Sequence, residues 1–305
     1  MARQVPFKII FAGLANSGKT SILLNLKREY HGEILPTKGI ERSEMKVLGQ
    51  KLVEWDLGGQ ESFRQGYLQR KEAFYDANLL YFVIDINDSE KYGEALDYFR
   101  DIIEILREVE QYPKIIVCLH KIDLHLSPEM NKALRDRFEA IVGNEFDIKF
   151  FATTIFNLPS LINAFSYGIR LLSGQTSDLR EQLKIFATET KSEAIMLLES
   201  NGFIIGEYFT SETEKITELT QKLTQNLVIP FINTQYNEEI SDILDRIIVE
   251  LHPGYFIFEP LQISSFQLYV IRFTISAEHA IEKFVLQPIM DSSEKIKKII
   301  EYFFL

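Results

Sequence analysis

Gly13-Leu14-Ala15-Asn16-Ser17-Gly18-Lys19-Thr20, followed by Ser21, is the stretch of this 305-residue chain with the plainest chemistry. An apolar segment, residues 7–12, precedes it, and a helix-like segment, residues 21–26, follows. Gly-x4-Gly-Lys-Thr between a strand and a helix makes a phosphate-binding loop. Its successive backbone N–H groups form an anion-binding concavity, and the new helix aims its positive end at the same point. Asn16, Ser17, Gly18, Lys19, Thr20 and Ser21 are therefore expected around the phosphates. Lys19 would reach the β- and γ-phosphates, and Thr20 would offer its hydroxyl to Mg2+. A second constellation, Trp55-Asp56-Leu57-Gly58-Gly59-Gln60, ends a strand-like run. Asp56 can hold Mg2+ through water, Gly59 can bring its amide to a γ-phosphate because no Cβ intervenes, and Gln60 can orient an attacking water. A third, His120-Lys121-Ile122-Asp123, follows another apolar run. The Asp123 carboxylate can accept both the ring N–H and the exocyclic amine of guanine, a pair that adenine does not present. The aliphatic stem of Lys121 can lie over the flat base.

Those groups need strands to end in the right places. The first half alternates strand-like and helix-like segments, which predicts a doubly wound α/β domain with a six-stranded, mostly parallel sheet and helices on both faces. Residues 44–48 and 51–56 flank Gly49-Gln50 and read as a hairpin, so one edge strand is expected to run antiparallel. Residues 79–85 and 114–119 are uninterrupted apolar runs, typical of parallel strands buried on both faces. Helices are predicted over 89–110, 127–141 and 158–172, and a sixth strand over 148–152. Small residues at 173–177 mark a boundary, giving domains 1–174 and 175–305. In the second half, a helix over 178–190 is followed by apolar runs on either side of Asn201-Gly202, a strong hairpin signal. A long helical region is then expected from 212 to about 251, interrupted near Pro230. Strands follow at 255–259 and 266–273, with Pro260 at an edge or strand end. An amphipathic helix over 292–304 closes the chain, and 279–290 receives no assignment. Tyr255, Phe256, Phe258, Phe266, Tyr269 and Phe273 read as sheet core, with a subunit interface as the alternative.

Hydrophobic residues make up 46% of the chain and charged residues 25%, the composition of an ordinary globular protein. No apolar run is long enough for a transmembrane helix, and the N-terminus lacks the apolar region of a signal peptide. The single cysteine, Cys118, lies in an apolar run, so no intrachain disulfide is expected and a buried small hydrophobe is. The expected compartment is cytoplasmic. The net charge of −11 is uneven: residues 1–174 hold 22 Lys and Arg against 24 Asp and Glu, residues 175–305 hold 11 against 20. That acidic second half argues against nucleic acid or anionic lipid as its partner and leaves protein partners. His31, His125, His252 and His279 are scattered, as surface or core residues would be.

The three motifs together resemble the Ras superfamily of small GTPases over about residues 5–172. Pro36-Thr37-x-Gly39 and Trp55-Asp56-x-Gly58-Gly59-Gln60 look like the Arf family. His120-Lys121-x-Asp123 and Ala152-Thr153-Thr154-Ile155 look like the Rag family. The resemblance implies bound GTP or GDP with Mg2+ on Thr20, Thr37 and Asp56. Thr37 would be the switch I threonine, its amide on the γ-phosphate, and Gln60 the switch II glutamine, so Gln60, Lys19 and Thr37 form the catalytic set. His120, Lys121 and Asp123, with the loop Thr153, Thr154 and Ile155, would contact the base. His120 replaces the usual asparagine, so guanine specificity would rest chiefly on Asp123. Ala15 stands where Ras proteins carry glycine, as Arf and Rag proteins also depart there. No arginine immediately precedes Thr37, so hydrolysis is expected to be slow, on the order of the unassisted Ras rate, until a partner supplies one. Switch I would cover about 34–41 and switch II about 57–70.

Rag proteins carry a C-terminal roadblock domain, related to longin domains, that pairs with its counterpart, and the order of elements after residue 175 is similar. The resemblance therefore implies a homo- or heterodimer through residues 175–305, a roadblock/longin-type scaffold as a further option, and a GAP and an exchange factor as partners. Arf-type membrane attachment is not expected. Residue 2 is Ala, the first strand begins at once, and Tyr302-Phe303-Phe304-Leu305 has no prenylatable cysteine. The reading is a two-domain Rag/Arf-like GTPase. Its rivals are a non-hydrolysing, nucleotide-bound scaffold and an Arf-like membrane-trafficking switch.

Overall fold

The apolar runs of the first half become the strands of one sheet. The computed structural model describes residues 6–29, 34–122, 128–210, 214–232, 246–252, 254–263, 265–281 and 298–300. Its first six strands are β1 Phe7–Ala12, β2 Ile40–Val47, β3 Gln50–Leu57, β4 Ala77–Asp85, β5 Lys114–His120 and β6 Ile148–Thr153. They lie side by side in the order β2-β3-β1-β4-β5-β6. All neighbours are parallel except β2 and β3, the expected edge hairpin. The helices are α1 Lys19–Leu26, α2 Glu61–Arg70, α3 Tyr92–Glu108, α4 Pro128–Val142 and α5 Leu158–Leu172. Both faces of the central strands are covered, which is why β4 and β5 carry no polar alternation. On one face Phe82 meets Phe99 of α3 and Phe138 of α4 edge-on, at 5.0 and 5.7 Å between ring centres. On the other, Phe11 stacks on Tyr81 at 4.7 Å, and the Tyr81 hydroxyl donates to Ala164 O of α5. Cys118 is buried in this core, and burial pushes its thiol up to about 12, so it stays protonated and inert. This is the P-loop GTPase architecture, a mostly parallel six-stranded sheet with its loops at the carboxyl ends of the strands.

The chain forms two compact units, Met1–Ala164 and Phe165–Leu305. The division falls inside α5, ahead of the boundary at 174 that the small residues suggest. Residues late in α5 explain it, because they bind the hairpin at 199–209. The Phe165 ring lies 5.0 Å from that of Phe203, Ser166 Oγ accepts from Ile204 N at 2.9 Å, and Arg170 donates to Ile204 O at 3.0 Å.

The second unit contains α6 Thr176–Glu189, β7 Ala194–Glu199, β8 Ile204–Phe209, α7 Glu214–Leu223, α8 Ile229–Ile232, β9 Ile247–Glu250, β10 Tyr255–Ile263, β11 Phe266–Thr274 and a short helix, Ala277–Ile281. Its five strands run antiparallel in the order β8-β7-β11-β10-β9, which with the flanking helices fits a roadblock-like domain. Phe256, Phe258, Tyr269 and Phe273 are buried, as sheet core should be, while Tyr255 and Phe266 are half-buried. Pro260 sits where β10 has outrun β9, whose pairing stops at Phe258, so the strand is locally an edge.

The long helical region is corrected. It breaks into a π-helical turn, Thr224–Val228, just before Pro230, whose missing N–H cannot continue the ladder. Its far end is not helical at all: Ile247–Glu250 is β9. Ile247, Ile248 and Val249 are consecutive β-branched residues, which lose side-chain freedom in a helix and fit a pleated strand. They pair with Tyr255–Phe258 across a turn in which Leu251 N donates to Gly254 O at 2.7 Å. The predicted C-terminal helix falls largely outside the described residues, of which Lys298–Ile300 are helical. Among the described residues no helix is long and apolar enough to cross a membrane.

The Asn201-Gly202 turn is held by a carboxylate. Glu199 is 2% exposed and accepts from Asn201 N at 2.7 Å, Asn201 Nδ2 at 2.9 Å and Phe203 N at 3.3 Å. Burial outweighs these bonds and raises its pKa to about 7. A carboxyl whose folded value lies above its unfolded value binds its proton more tightly in the fold. Its contribution to stability is therefore present at low pH and lost as the pH rises towards that folded value. Glu199→Gln should flatten the loss, roughly 3 kcal/mol at the limit, between about pH 4.5 and 7. Urea melts across that range check it; parallel curves for the two proteins would sink the assignment.

Candidate active site

The loop after β1 is short and leads straight into a helix. It leaves Ala12 and returns to the chain axis at Lys19, the first residue of α1. Asn16 takes a left-handed turn at φ 63°, and Gly18 sits at φ 101°. Lys19 arches back over the loop, its Nζ donating to Gly13 O at 3.1 Å and Leu14 O at 3.0 Å. It is 5% exposed. Burial lowers its pKa to about 8, with the nearby Asp56 charge pulling the other way. A cation so placed gains most from an anion that restores a compensating charge.

Three oxygens from three distant segments converge beside it. Thr20 Oγ1 lies 2.5 Å from Asp56 Oδ2 and 2.9 Å from Thr37 Oγ1, and Thr37 Oγ1 donates to the same Oδ2 at 3.1 Å. Asp56 is 3% exposed, and burial raises its pKa against the lowering effect of these bonds. Its second oxygen, Oδ1, is buried with no hydrogen-bond partner. Hard oxygen donors, one of them a carboxylate with a free lone pair, fit a small divalent cation that keeps several waters, as Mg2+ does. Among the described residues no group of three or more His, Cys, Asp and Glu could hold a metal, so this hydroxyl–carboxylate set is the candidate centre.

Gly59 is pressed against the phosphate loop. Ala15 N donates to Gly59 O at 3.0 Å, and a Cβ on Gly59 would stand 2.3 Å from both Ala15 N and the Leu14 carbonyl carbon. The preceding Gly58 N donates to Gly39 O at 2.9 Å, tying the 34–41 segment to the same turn. Gln60 follows in extended conformation at the N-cap of α2, exposed. Asn16, Gly18, Lys19, Thr20 and Ser21 line one side of a cleft of about 360 Å³, and Thr37, Gly59, Gln60 and Lys121 complete it. Ile34, Leu35 and Pro36, at the start of the 34–41 segment, also line it.

The predicted base-side residues separate into two layers. Lys121, in left-handed conformation at φ 64°, donates from Nζ to Asn16 O and to Asp85 Oδ2, both at 2.7 Å. Asn87 Nδ2 donates to Lys121 O at 2.7 Å. His120 stands behind this wall, 1% exposed, with Nδ1 3.0 Å from Thr153 Oγ1. Ile122 N donates to Thr153 O at 3.3 Å. The Thr154 hydroxyl accepts from Phe156 N at 3.2 Å, so Ile155 is carried on a tight turn. Ser17 turns inward, its buried hydroxyl unpartnered, beside a cavity of about 30 Å³ bounded by Asp85, Asp88 and Lys91. Asp123 lies outside the described residues. Asp85 and Asn87 were missed, although the carboxyl end of a buried parallel strand is where ligand-binding residues collect.

His120 and Gly18 constrain each other. A Cβ on Gly18 would lie 2.4 Å from His120 Cδ2 and 2.7 Å from Nε2. Gly18→Ala should therefore abolish nucleotide binding in a calorimetric titration. Adding His120→Ala should fail to restore it, because the φ of 101° remains hostile to a side chain. Restoration would show that the ring, and not the backbone, was the obstacle.

Comparison with known proteins gives the arrangement its relatives. Residues 8–244 match the model of the Gtr1/RagA G protein conserved region. The chain is 26% identical over 220 residues to the GTP-binding protein gtr1 of Schizosaccharomyces pombe, an alignment covering 69% of this chain and 71% of that one. It is 24% identical over 226 residues to the Ras-related GTP-binding protein A of Dictyostelium discoideum, covering 71% and 74%. The GTP-binding protein GTR1 of Saccharomyces cerevisiae is 25% identical over 249 residues, covering 78% of each chain.

Proposed function

The chain belongs to the Gtr1/RagA G-protein family, a family of GTPase switches, and from that premise we propose a GTP·Mg2+-operated switch that hydrolyses its nucleotide slowly. One observation carries the reading. Thr20 and Thr37, both bonded to Asp56 Oδ2, line the same cleft as Gln60, so the groups needed for metal binding and for water orientation stand together.

The amides of residues 16–21 and the Lys19 ammonium hold the phosphates. Thr20, Thr37 and Asp56 would hold Mg2+, which would supply positive charge to neutralise the phosphate oxygens. Gln60 orients a water whose oxygen bonds to the γ-phosphorus as the bond to the β–γ bridging oxygen breaks, and GDP keeps that electron pair. No arginine stands before Thr37, so the unassisted rate is on the order of 10⁻⁴ per second. Departure of the γ-phosphate removes a ligand from Thr37 and from the Gly59 amide, and the 34–41 and 57–70 segments rearrange. Asp123, with Lys121, selects guanine.

The second unit pairs with another roadblock-type chain, either a copy or a counterpart, and activating and exchange partners act on the first. A chain that stays at 35.4 kDa in light scattering, alone and with roadblock-type partners, would sink the pairing. A non-hydrolysing scaffold has no need of Lys19, Thr20, Thr37, Asp56 and Gln60 together. Single-turnover hydrolysis separates the two readings. The wild type should cleave GTP at least about tenfold faster than Gln60→Leu; equal background rates would establish the scaffold.

A further inference from the structure

Helix α2 is attached to its neighbour by charge and aromatic rings. The sequence Glu-Ser-Phe-Arg-Gln-Gly-Tyr-Leu-Gln-Arg buries only Arg64 and Tyr67, and Phe63 and Leu68 are partly covered. Arg64 is 8% exposed although it is an arginine on a surface helix. Its guanidinium pairs with Glu94 of α3 and lies over the Tyr98 ring, 5.1 Å from the centre. A guanidinium placed over a ring and paired at its edge uses both of its binding modes at once.

This contact is one helical turn from the cleft. Arg64 N and Phe63 N both donate to Gln60 O at 3.0 Å, so the backbone from 60 to 64 is a closed turn. Whatever seats Arg64 also seats Gln60. Arg64 and Glu94 themselves do not line the cleft. Arg64 Nε and the Tyr98 hydroxyl are buried without hydrogen-bond partners. Unpaired buried polar groups are rare and each asks for an explanation. Both lie at the contact between α2 and α3, where the Arg64–Glu94 pair forms. Glu94, with its side chain 50% exposed, already stands at the edge where water can replace the pair.

We propose that the Arg64–Glu94 pair, laid face-on against Tyr98, is a latch that holds Gln60 in the cleft, so that both residues are positioning residues for GTP hydrolysis. The inference rests on the reading of Gln60 as the water-orienting group.

The full chain is tested in single-turnover hydrolysis, with affinities for fluorescent GTP and GDP and a thermal melt measured on the same samples. The variants are Gln60→Leu, Arg64→Ala, Arg64→Lys, Glu94→Ala and the exchange Arg64→Glu/Glu94→Arg. Arg64→Ala and Glu94→Ala should each hydrolyse about fivefold or more slowly, with nucleotide affinities within about twofold of wild type. Arg64→Lys should lose less, and the exchange should regain most of the loss. Wild-type rates in both alanine variants, beside a slowed Gln60→Leu, would overturn the latch and leave the switch reading standing. An exchange variant as slow as the single variants would overturn the pair as its basis. Losses of affinity or melting temperature that match the losses of rate would reduce Arg64 to packing. Gln60→Leu at the wild-type rate would remove the reading beneath, and the latch with it.

Discussion

One carboxylate is asked to serve three segments. Asp56 ends β3, and its Oδ2 draws in a hydroxyl from the start of α1 and another from the 34–41 segment, all within 3.1 Å. The group is nearly dry, so its charge costs several kcal/mol unless partners or a cation compensate it. Two hydroxyl hydrogen bonds supply part of that compensation, and burial still raises the Asp56 pKa, which measures the part left over. A divalent cation would supply the rest through Oδ1, the oxygen with no partner. Filling the site and closing residues 35–37 over it are therefore one thermodynamic event, since each makes the other less costly. The rest of the first unit exists to bring those segments within reach: β1 and β3 are parallel neighbours, so their loops emerge on the same edge.

Rigidity and mobility are divided by chemistry. The parts that must not move are aromatic and aliphatic, with Phe82, Phe99 and Phe138 locked edge to face under the central strands. The parts that border the cleft rely more on polar contacts: Thr37 on a carboxylate, Gly59 and Gly39 on backbone hydrogen bonds, and α2 on the Arg64–Glu94 pair beside the packed rings of Phe63 and Tyr67. Apolar packing of one large side chain contributes about 2 kcal/mol and is indifferent to a distant phosphate. Polar contacts are smaller, directional and exchangeable with water, which places these segments at the low end of the local stability scale.

What could be read from the sequence follows the same division. That the Gly13–Thr20 loop, Asp56, Gly59 and Lys121 come together was legible because the motifs hold these residue types at fixed short spacing, and the strand before each motif showed in its apolar run. β1 to β6, the edge hairpin and the Asn201-Gly202 turn were legible because periodicity and turn residues are local signals. Arg64 and Glu94 were not, because an ion pair across 30 positions leaves no spacing rule, and α2 carries no apolar stripe to say which face is inward. His120 and Thr153 are read as base contacts from motif position; their burial, with His120 Nδ1 3.0 Å from Thr153 Oγ1, is announced by no spacing in the sequence. β9 was lost to a helical reading because three β-branched residues in a row fix strand preference only when a partner strand such as β10 is present.

Small energies suffice for such a site to change state. The closed arrangement joins its segments through Ala15 N to Gly59 O, Gly58 N to Gly39 O, and the Thr37 hydroxyl to Asp56. Each bond contributes about 1 kcal/mol net, because water competes for every one of them. Inverting a two-state balance from 1:99 to 99:1 takes about 5.5 kcal/mol of differential binding. A γ-phosphate that engages a glycine amide, a lysine and, through a cation, a threonine can supply that difference with charge-assisted bonds. The polar seats of Thr37, Gly59 and Arg64 are thus what would keep two states close enough in energy for hydrolysis of a single bond to choose between them.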